Sequence, residues 1–317
     1  MSKILSLDKN TLLTYLPVVV EKNLNDSIEN VRYLGGGSNG KAFGVRLSSG
    51  EIIVLKAYRV AGMNEIESKQ LKILSENTQV QMPKVLFNHN DDSIAVLGMT
   101  FIEGSNVLNP IFLFKNKSQI NSFSHSVVKG MLDWHSVRGK KFGDLEKPLY
   151  SSWHDCYREN KVNGILSGIE KLVNENKFSN KKYELLCEAT ELYDKYEDEP
   201  KFPVLIHGDL NIMNIMADKK TFYLNGFIDP CGSMWADREY DLYQLQNMWG
   251  NKFFLYNTYK EMCGGLSKYS DFKVAYYGVM NEVSCRLGDG LVFPIWEDLW
   301  ISRLLSLIHI SEPTRPY

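Results

Sequence analysis

The alternation of apolar and polar positions changes its period twice along this chain. Apolar runs at residues 31–34, 43–47 and 51–57 read as strands, with Ser48-Ser49-Gly50 as a hairpin turn between the last two. From Asn64 to Glu76 the period lengthens. Ile66, Lys69-Gln70, Ile73 and Leu74 recur at three- and four-residue spacing, and Leu71 broadens the face, which predicts a helix. Pro83 ends that unit. Apolar stretches at 84–88 and 93–102 follow, joined by the turn-prone His89-Asn90-Asp91-Asp92. About five strands and one helix, in an order dominated by hairpins, predict a small antiparallel sheet in the first hundred residues.

Glu103-Gly104-Ser105-Asn106 reads as a linker, and the character then changes. Residues 119–137 and 183–198 are predicted helices, the second with Leu185, Ala189, Leu192 and Tyr196 on one face. Pro200 and Pro203 close it, short apolar runs lead into polar segments at 207–214 and 228–230, and helices resume from Arg238. The expected architecture is α+β with two lobes. Residues 1–104 form a sheet-rich lobe with one helix, and residues 105–317 form a larger, mainly helical lobe.

Composition narrows the class. With 44% hydrophobic and 23% charged residues, the chain has the balance of a globular protein. A net charge of -2 gives no general attraction to nucleic acid or to an anionic membrane. The five cysteines, at 156, 187, 231, 263 and 285, form no close pair, which points away from a disulfide framework or zinc site and toward a reducing compartment. The start, Met1 to Lys9, is too polar for a signal peptide, and the apolar stretch 291–310 carries Glu297, Asp298 and Arg303. A cytoplasmic protein is expected. The end, Leu307 to Tyr317, resembles translated sequencing-adapter read-through, and no function is drawn from it.

The chemistry concentrates in His207-Gly208-Asp209-Leu210-Asn211-Ile212-Met213-Asn214 and Ile228-Asp229-Pro230. Two carboxylates and an amide stand at the ends of apolar runs, where a scaffold holds polar groups rigidly. Phosphoryl transfer from Mg-ATP needs a carboxylate near the acceptor hydroxyl and oxygen ligands for a hard cation. Asp209 suits the first role, and Asn214 with Asp229 suits the second. His207 is expected to brace the loop, and Asp237 to cap a helix, with Glu239 in its first turn. Asp241 is expected to hold the site's architecture. Lys56 ends an apolar strand and must reach either water, as a solvated edge charge, or a partner on the following helix, Glu67 with Glu65 as the competitor. A Lys–Glu pair would aim the ammonium at the nucleotide's α/β-phosphates. Gly35-Gly36-Gly37-Ser38-Asn39-Gly40-Lys41 nearly reads as a Walker P-loop, but Ala42 replaces the expected Ser or Thr and a strand follows instead of a helix. A flap whose backbone at Gly36, Gly37, Ser38 and Asn39 covers phosphates fits better, with a simple tight hairpin as the plainer alternative.

Together these residues resemble the aminoglycoside phosphotransferases and their fructosamine-kinase and choline-kinase relatives, built on the protein-kinase-like fold. His207-Gly208-Asp209 with Asn214 is similar to the family's H-G-D-x-x-x-x-N motif. Asp229 matches the metal aspartate, and Asp237 to Leu242 resembles the downstream D-x-x-x-D-L segment. Leu97 to Gly104 resembles the lobe hinge, which implies that the backbones of Thr100 and Ile102 bond adenine. Asp229-Pro230 and Arg238-Glu239 lean toward the fructosamine-kinase branch, although Asn211 stands where that branch usually has tryptophan. The resemblance implies a kinase that uses ATP and Mg²⁺ to phosphorylate a hydroxyl of a small sugar-like or amino-sugar acceptor. A fructosamine kinase is the narrower alternative, and a nucleotide-binding regulator without an acceptor is the alternative from another class. Without an A-P-E segment after Asp229, a protein kinase is disfavoured.

Overall fold

The computed structural model describes residues 5–6, 8–37, 40–196 and 200–289. It divides into two compact units, residues 1–133 with 212–232, and residues 134–211 with 233–317. A boundary at 104 therefore falls inside the first unit.

The first unit is built on a five-stranded antiparallel sheet in the order β1-β2-β3-β5-β4. Its strands are β1 (Ile28–Gly36), β2 (Gly40–Leu47), β3 (Ile52–Tyr58), β4 (Val85–Asn90) and β5 (Ala95–Thr100). Side chains alternate across a strand, so Phe43, Val45, Ile53, Leu55 and Ala57 all face one way. That face is covered by a helix not among the expected elements, α1 (Lys9–Leu24), through Leu12, Leu16, Val19 and Val20. Asp8 starts α1 by accepting the Thr11 amide at 2.7 Å. The opposite parity sends Lys56 and Tyr58 toward α2 (Met63–Glu76). The buried face of α2 is Asn64, Glu67, Gln70, Leu71 and Leu74, with Ile66 turned outward at 49% exposure. Apolar spacing misjudged this helix because its inner face carries polar groups that find partners.

The same unit holds a three-stranded sheet of β6 (Ser105–Asn106), β8 (Ile215–Ala217) and β9 (Leu224–Phe227). Val107 N–H donates to the carbonyls of Ile212 at 3.0 Å and Ile215 at 3.1 Å, and Phe227 N–H donates to Gln81 O at 2.9 Å. Most of α3 (Lys117–Ser136) belongs here as well.

The second unit is helical: α4 (Trp153–Tyr157), α5 (Asn163–Asn174), α6 (Asn180–Tyr196), α7 (Leu255–Met262) and α8 (Ser270–Asp289). One two-stranded ribbon, β7 (Val204–Leu205) with β10 (Trp235–Ala236), accompanies them. Trp153, Tyr157, Tyr193, Tyr240, Tyr276 and Tyr277 form a buried aromatic cluster. In α6, Ala189 and Leu192 of the expected face are buried, and the cluster turns Leu186 and Tyr193 inward in place of Leu185 and Tyr196. Residues 238–253, expected as an ordinary helix, form a 3-10 run broken by non-helical Asn247, Met248 and Trp249. The expectations for residues 290–317 lie outside the described residues. Among the described residues, no helix is long and apolar enough to cross a membrane.

Candidate active site

In the first unit, β3 delivers Lys56 to two carboxylates. Its Nζ lies 2.6 Å from Glu67 Oε2 and 2.5 Å from Asp229 Oδ1. Glu67 is thus the partner. Glu65, the competing candidate, instead accepts from Asn90 Nδ2 at 2.8 Å. The Tyr58 hydroxyl, two residues along the same strand face, also donates to Glu67 Oε2 at 2.6 Å. Burial works against the Lys56 ammonium, but Glu67 and Asp229 outweigh it and raise its pKa above the ordinary lysine value. Burial raises the Glu67 carboxyl above the ordinary glutamate value, against the pull of Lys56 and with Asp229 adding to it.

Asp229 follows β9 in a left-handed backbone conformation (φ 57°), which aspartate tolerates better than most residues. The neighbouring Ile228 N–H donates to Asn214 O at 2.9 Å, so Asn214 and Asp229 flank the paired ends of β8 and β9. Asn214 is buried, and 47% of the Asp229 side chain is exposed. One amide oxygen and one carboxylate are hard donors, suited to a Mg²⁺ ion that keeps water and phosphate oxygens in its shell.

The glycine-rich segment is a β1–β2 hairpin, with Gly37 N–H donating to Gly40 O at 3.1 Å. A strand follows it, as a flap requires and a P-loop does not. A side chain at Gly36 would collide with the Gly40 carbonyl. Ser38 and Asn39 lie outside the described residues. Thr100 ends β5, with its amide donating to Lys84 O and its hydroxyl accepting from Lys84 N–H, both at 2.9 Å. Ile102, buried, lies two residues beyond.

In the second unit, the loop carrying Asp209 hangs from one buried carboxylate. Asp241 accepts the amides of His207 at 3.1 Å and Gly208 at 2.9 Å, and its Oδ2 lies 3.4 Å from His135 Nε2. Burial would raise the Asp241 carboxyl, but His135, His207 and these amides hold it below the ordinary aspartate value. His207 packs its ring 5.5 Å from that of Trp134 and accepts the Asp209 amide at Nδ1, while its carbonyl takes the Ser233 hydroxyl at 2.7 Å. It acts as the brace expected of it. Asp237 accepts the Glu239 amide at 3.0 Å as a cap. It also pairs at 2.7 Å with Lys273, which is 1% exposed and lies 3.2 Å from Glu239. Asp209 Oδ1 accepts from Asn211 Nδ2 at 2.9 Å and from Gln244 Nε2 at 2.8 Å.

Sequence reasoning missed Tyr58, Lys273 and Gln244. Tyr58 was reachable, because it shares the strand face of Lys56. Lys273 and Gln244 sit in segments whose pattern marks nothing unusual.

The sequence model of one family, fructosamine kinase, matches residues 17–287. The chain belongs to the fructosamine kinase family. No curated protein sequence matches it. A Thermobifida fusca YX-ER1 structure assigned as a fructosamine-3-kinase shares 16% identity over 94% of this chain and 99% of its own, with a TM-score of 0.67. A corresponding structure from Haemophilus somnus 129PT shares 18% identity over 93% and 97%, with a TM-score of 0.68. The structure of APH(2'')-IIia in complex with GDP and kanamycin matches at 18% identity over 96% and 100%, with a TM-score of 0.66. This member of the fructosamine kinase family thus has the kinase-like fold expected from sequence, an antiparallel sheet followed by a helical part. Membership makes it a small-molecule kinase that uses a nucleotide as phosphoryl donor.

Proposed function

We propose that this enzyme transfers the γ-phosphoryl group of ATP to a hydroxyl of a small ketoamine sugar. The observation that carries the reading is Lys56 held between Glu67 and Asp229. A lysine tethered on one side by a helix carboxylate is set to bind the α/β-phosphates. Gly36, Gly37, Ser38 and Asn39 would cover the phosphates from the hairpin. The Thr100 carbonyl and the Ile102 amide would bond adenine, the Thr100 amide being engaged by Lys84. Asn214 and Asp229 would hold Mg²⁺, which supplies charge neutralisation at the phosphates.

Asp209 takes the acceptor's proton as its oxygen bonds to the γ-phosphorus. The bond from that phosphorus to the β,γ-bridging oxygen breaks, and ADP leaves with the electron pair. Family membership favours a ketoamine acceptor over an aminoglycoside, and APH(2'')-IIia, solved with GDP, makes GTP the competing donor to test.

Replacing Asp209 by Ala should lower transfer on the order of 10²- to 10⁴-fold while ATP still raises the melting temperature. Radiolabelled ATP with ketoamine sugars, aminoglycosides and choline as acceptors measures it. Wild-type rates in the variant would refute the assignment, and transfer to aminoglycosides alone would refute the acceptor.

A further inference from the structure

Asp209 is gripped by a relay of side-chain amides. Asn211 Nδ2 and Gln244 Nε2 converge on its Oδ1, at 2.9 and 2.8 Å. Gln244 Oε1 in turn accepts from Asn247 Nδ2 at 2.9 Å, and Gln244 Nε2 also reaches the Tyr243 hydroxyl at 3.1 Å. Asn211 and Gln244 are 8% and 5% exposed. Buried amides must satisfy both ends, which differ chemically. Turned over, Gln244 would set its oxygen against a carboxylate oxygen and its NH₂ against the NH₂ of Asn247. The Asp209 carboxylate, which only accepts, therefore fixes which end Gln244 offers, and Asn247 holds the other end.

We propose that Gln244, held at its far end by Asn247, is a positioning residue for phosphoryl transfer, holding with Asn211 one oxygen of Asp209 so that the carboxylate keeps its plane and its charge. This rests on Asp209 as the base. Two donors on one oxygen favour the ionised carboxylate. They also fix its orientation, which matters because small misplacements of a catalytic group are costly. Among the described residues of its unit, His207 accepts the Asp209 amide, Asp241 holds the turn before it, and the Tyr243 phenol interacts with its carboxylate. Asp241 is held ionised by its partners, and the Tyr243 phenol is kept neutral by burial, by Tyr240 and by Asp209 itself.

The test is the pH profile of kcat for the full-length enzyme and its Gln244→Leu, Asn247→Ala and Asp209→Asn variants. Transfer is measured from Mg-ATP to fructosyl-lysine, or to water where the ketoamine is not turned over. Gln244→Leu should lower kcat roughly ten- to a hundredfold, leave KM for ATP within about twofold, and move the acid limb to higher pH. Asn247→Ala removes the donor to Gln244 Oε1 and loosens the amide's hold on Asp209 without adding charge. The acid limb should move the same way by a smaller amount, because residue 247 reaches Asp209 through Gln244. Asn247 is only partly buried, so this variant reads the relay even if Gln244→Leu does not fold. Folded variants with wild-type kcat and unmoved acid limbs, beside an inactive Asp209→Asn, would overturn the relay alone. A fully active Asp209→Asn would overturn the assignment of the base together with the relay.

Discussion

The Asp241 carboxylate holds the two amides that shape the turn before Asp209. Its pKa is depressed in the folded chain, so its stabilisation is fully present above the unfolded aspartate value, about 3.9. That stabilisation is lost as pH falls through the folded value. Urea midpoints measured from pH 7 down to pH 3 should therefore fall steeply at the acid end for the wild type. Asp241→Asn should be less stable at neutral pH by about 1–3 kcal/mol and flatter on acidification. An acid slope as steep as wild type in that variant would show that another carboxylate dominates.

At the scale of elements, α1 is the clearest case of a segment whose role depends on its neighbours. Leu16 is fully buried against the sheet, among residues such as Phe43, Val45 and Leu55. Leu16→Ala should cost about 2–5 kcal/mol of stability, read as a lowered denaturant midpoint. A loss under about 0.5 kcal/mol, within the range of surface changes, would mean that α1 is dispensable. The spacing of Leu12, Leu16, Val19 and Val20 was present in the sequence, but Pro17 inside the pattern argues against a helix. Strands β1 to β5 and the hairpin turn at 48–50 were legible because alternation and turn chemistry are local signals. The pairing of Lys56 with Glu67 was legible because a lysine ending an apolar strand beside a helix carboxylate is chemically distinctive, whereas Asp209, Asn214 and Asp229 stand out by type and spacing and their roles are those proposed above. Gln244 was not legible, because the role proposed for it comes from the Asp209 carboxylate and the Asn247 amide that it meets, and the run that carries it is broken by an irregular backbone at Asn247 to Trp249. The inner face of α2 was misread for a related reason: spacing finds apolar faces, and this face is tied down by polar bonds.

At the scale of the whole molecule, the chain leaves its first unit at Asp133 and returns to it for residues 212–232. The returning segment is not ornamental, because Phe227 bonds Gln81 and a side chain at Gly226 would collide with the same carbonyl. A fragment ending at residue 104 lacks this partner and should show no cooperative melt. One carrying residues 5–133 joined to 212–232 should recover it. Circular dichroism on heating distinguishes the two, and a sharp melt of the shorter fragment at the full chain's temperature would contradict the division.

The double anchoring of Glu67 has a consequence for control. Lys56 and Tyr58 both fasten α2 to the sheet through a single carboxylate oxygen. Severing the lysine leaves the phenol bolt in place, so the helix is poorly suited to act as a lever thrown by that one break. Freeing α2 from the sheet at this point takes the loss of both bonds.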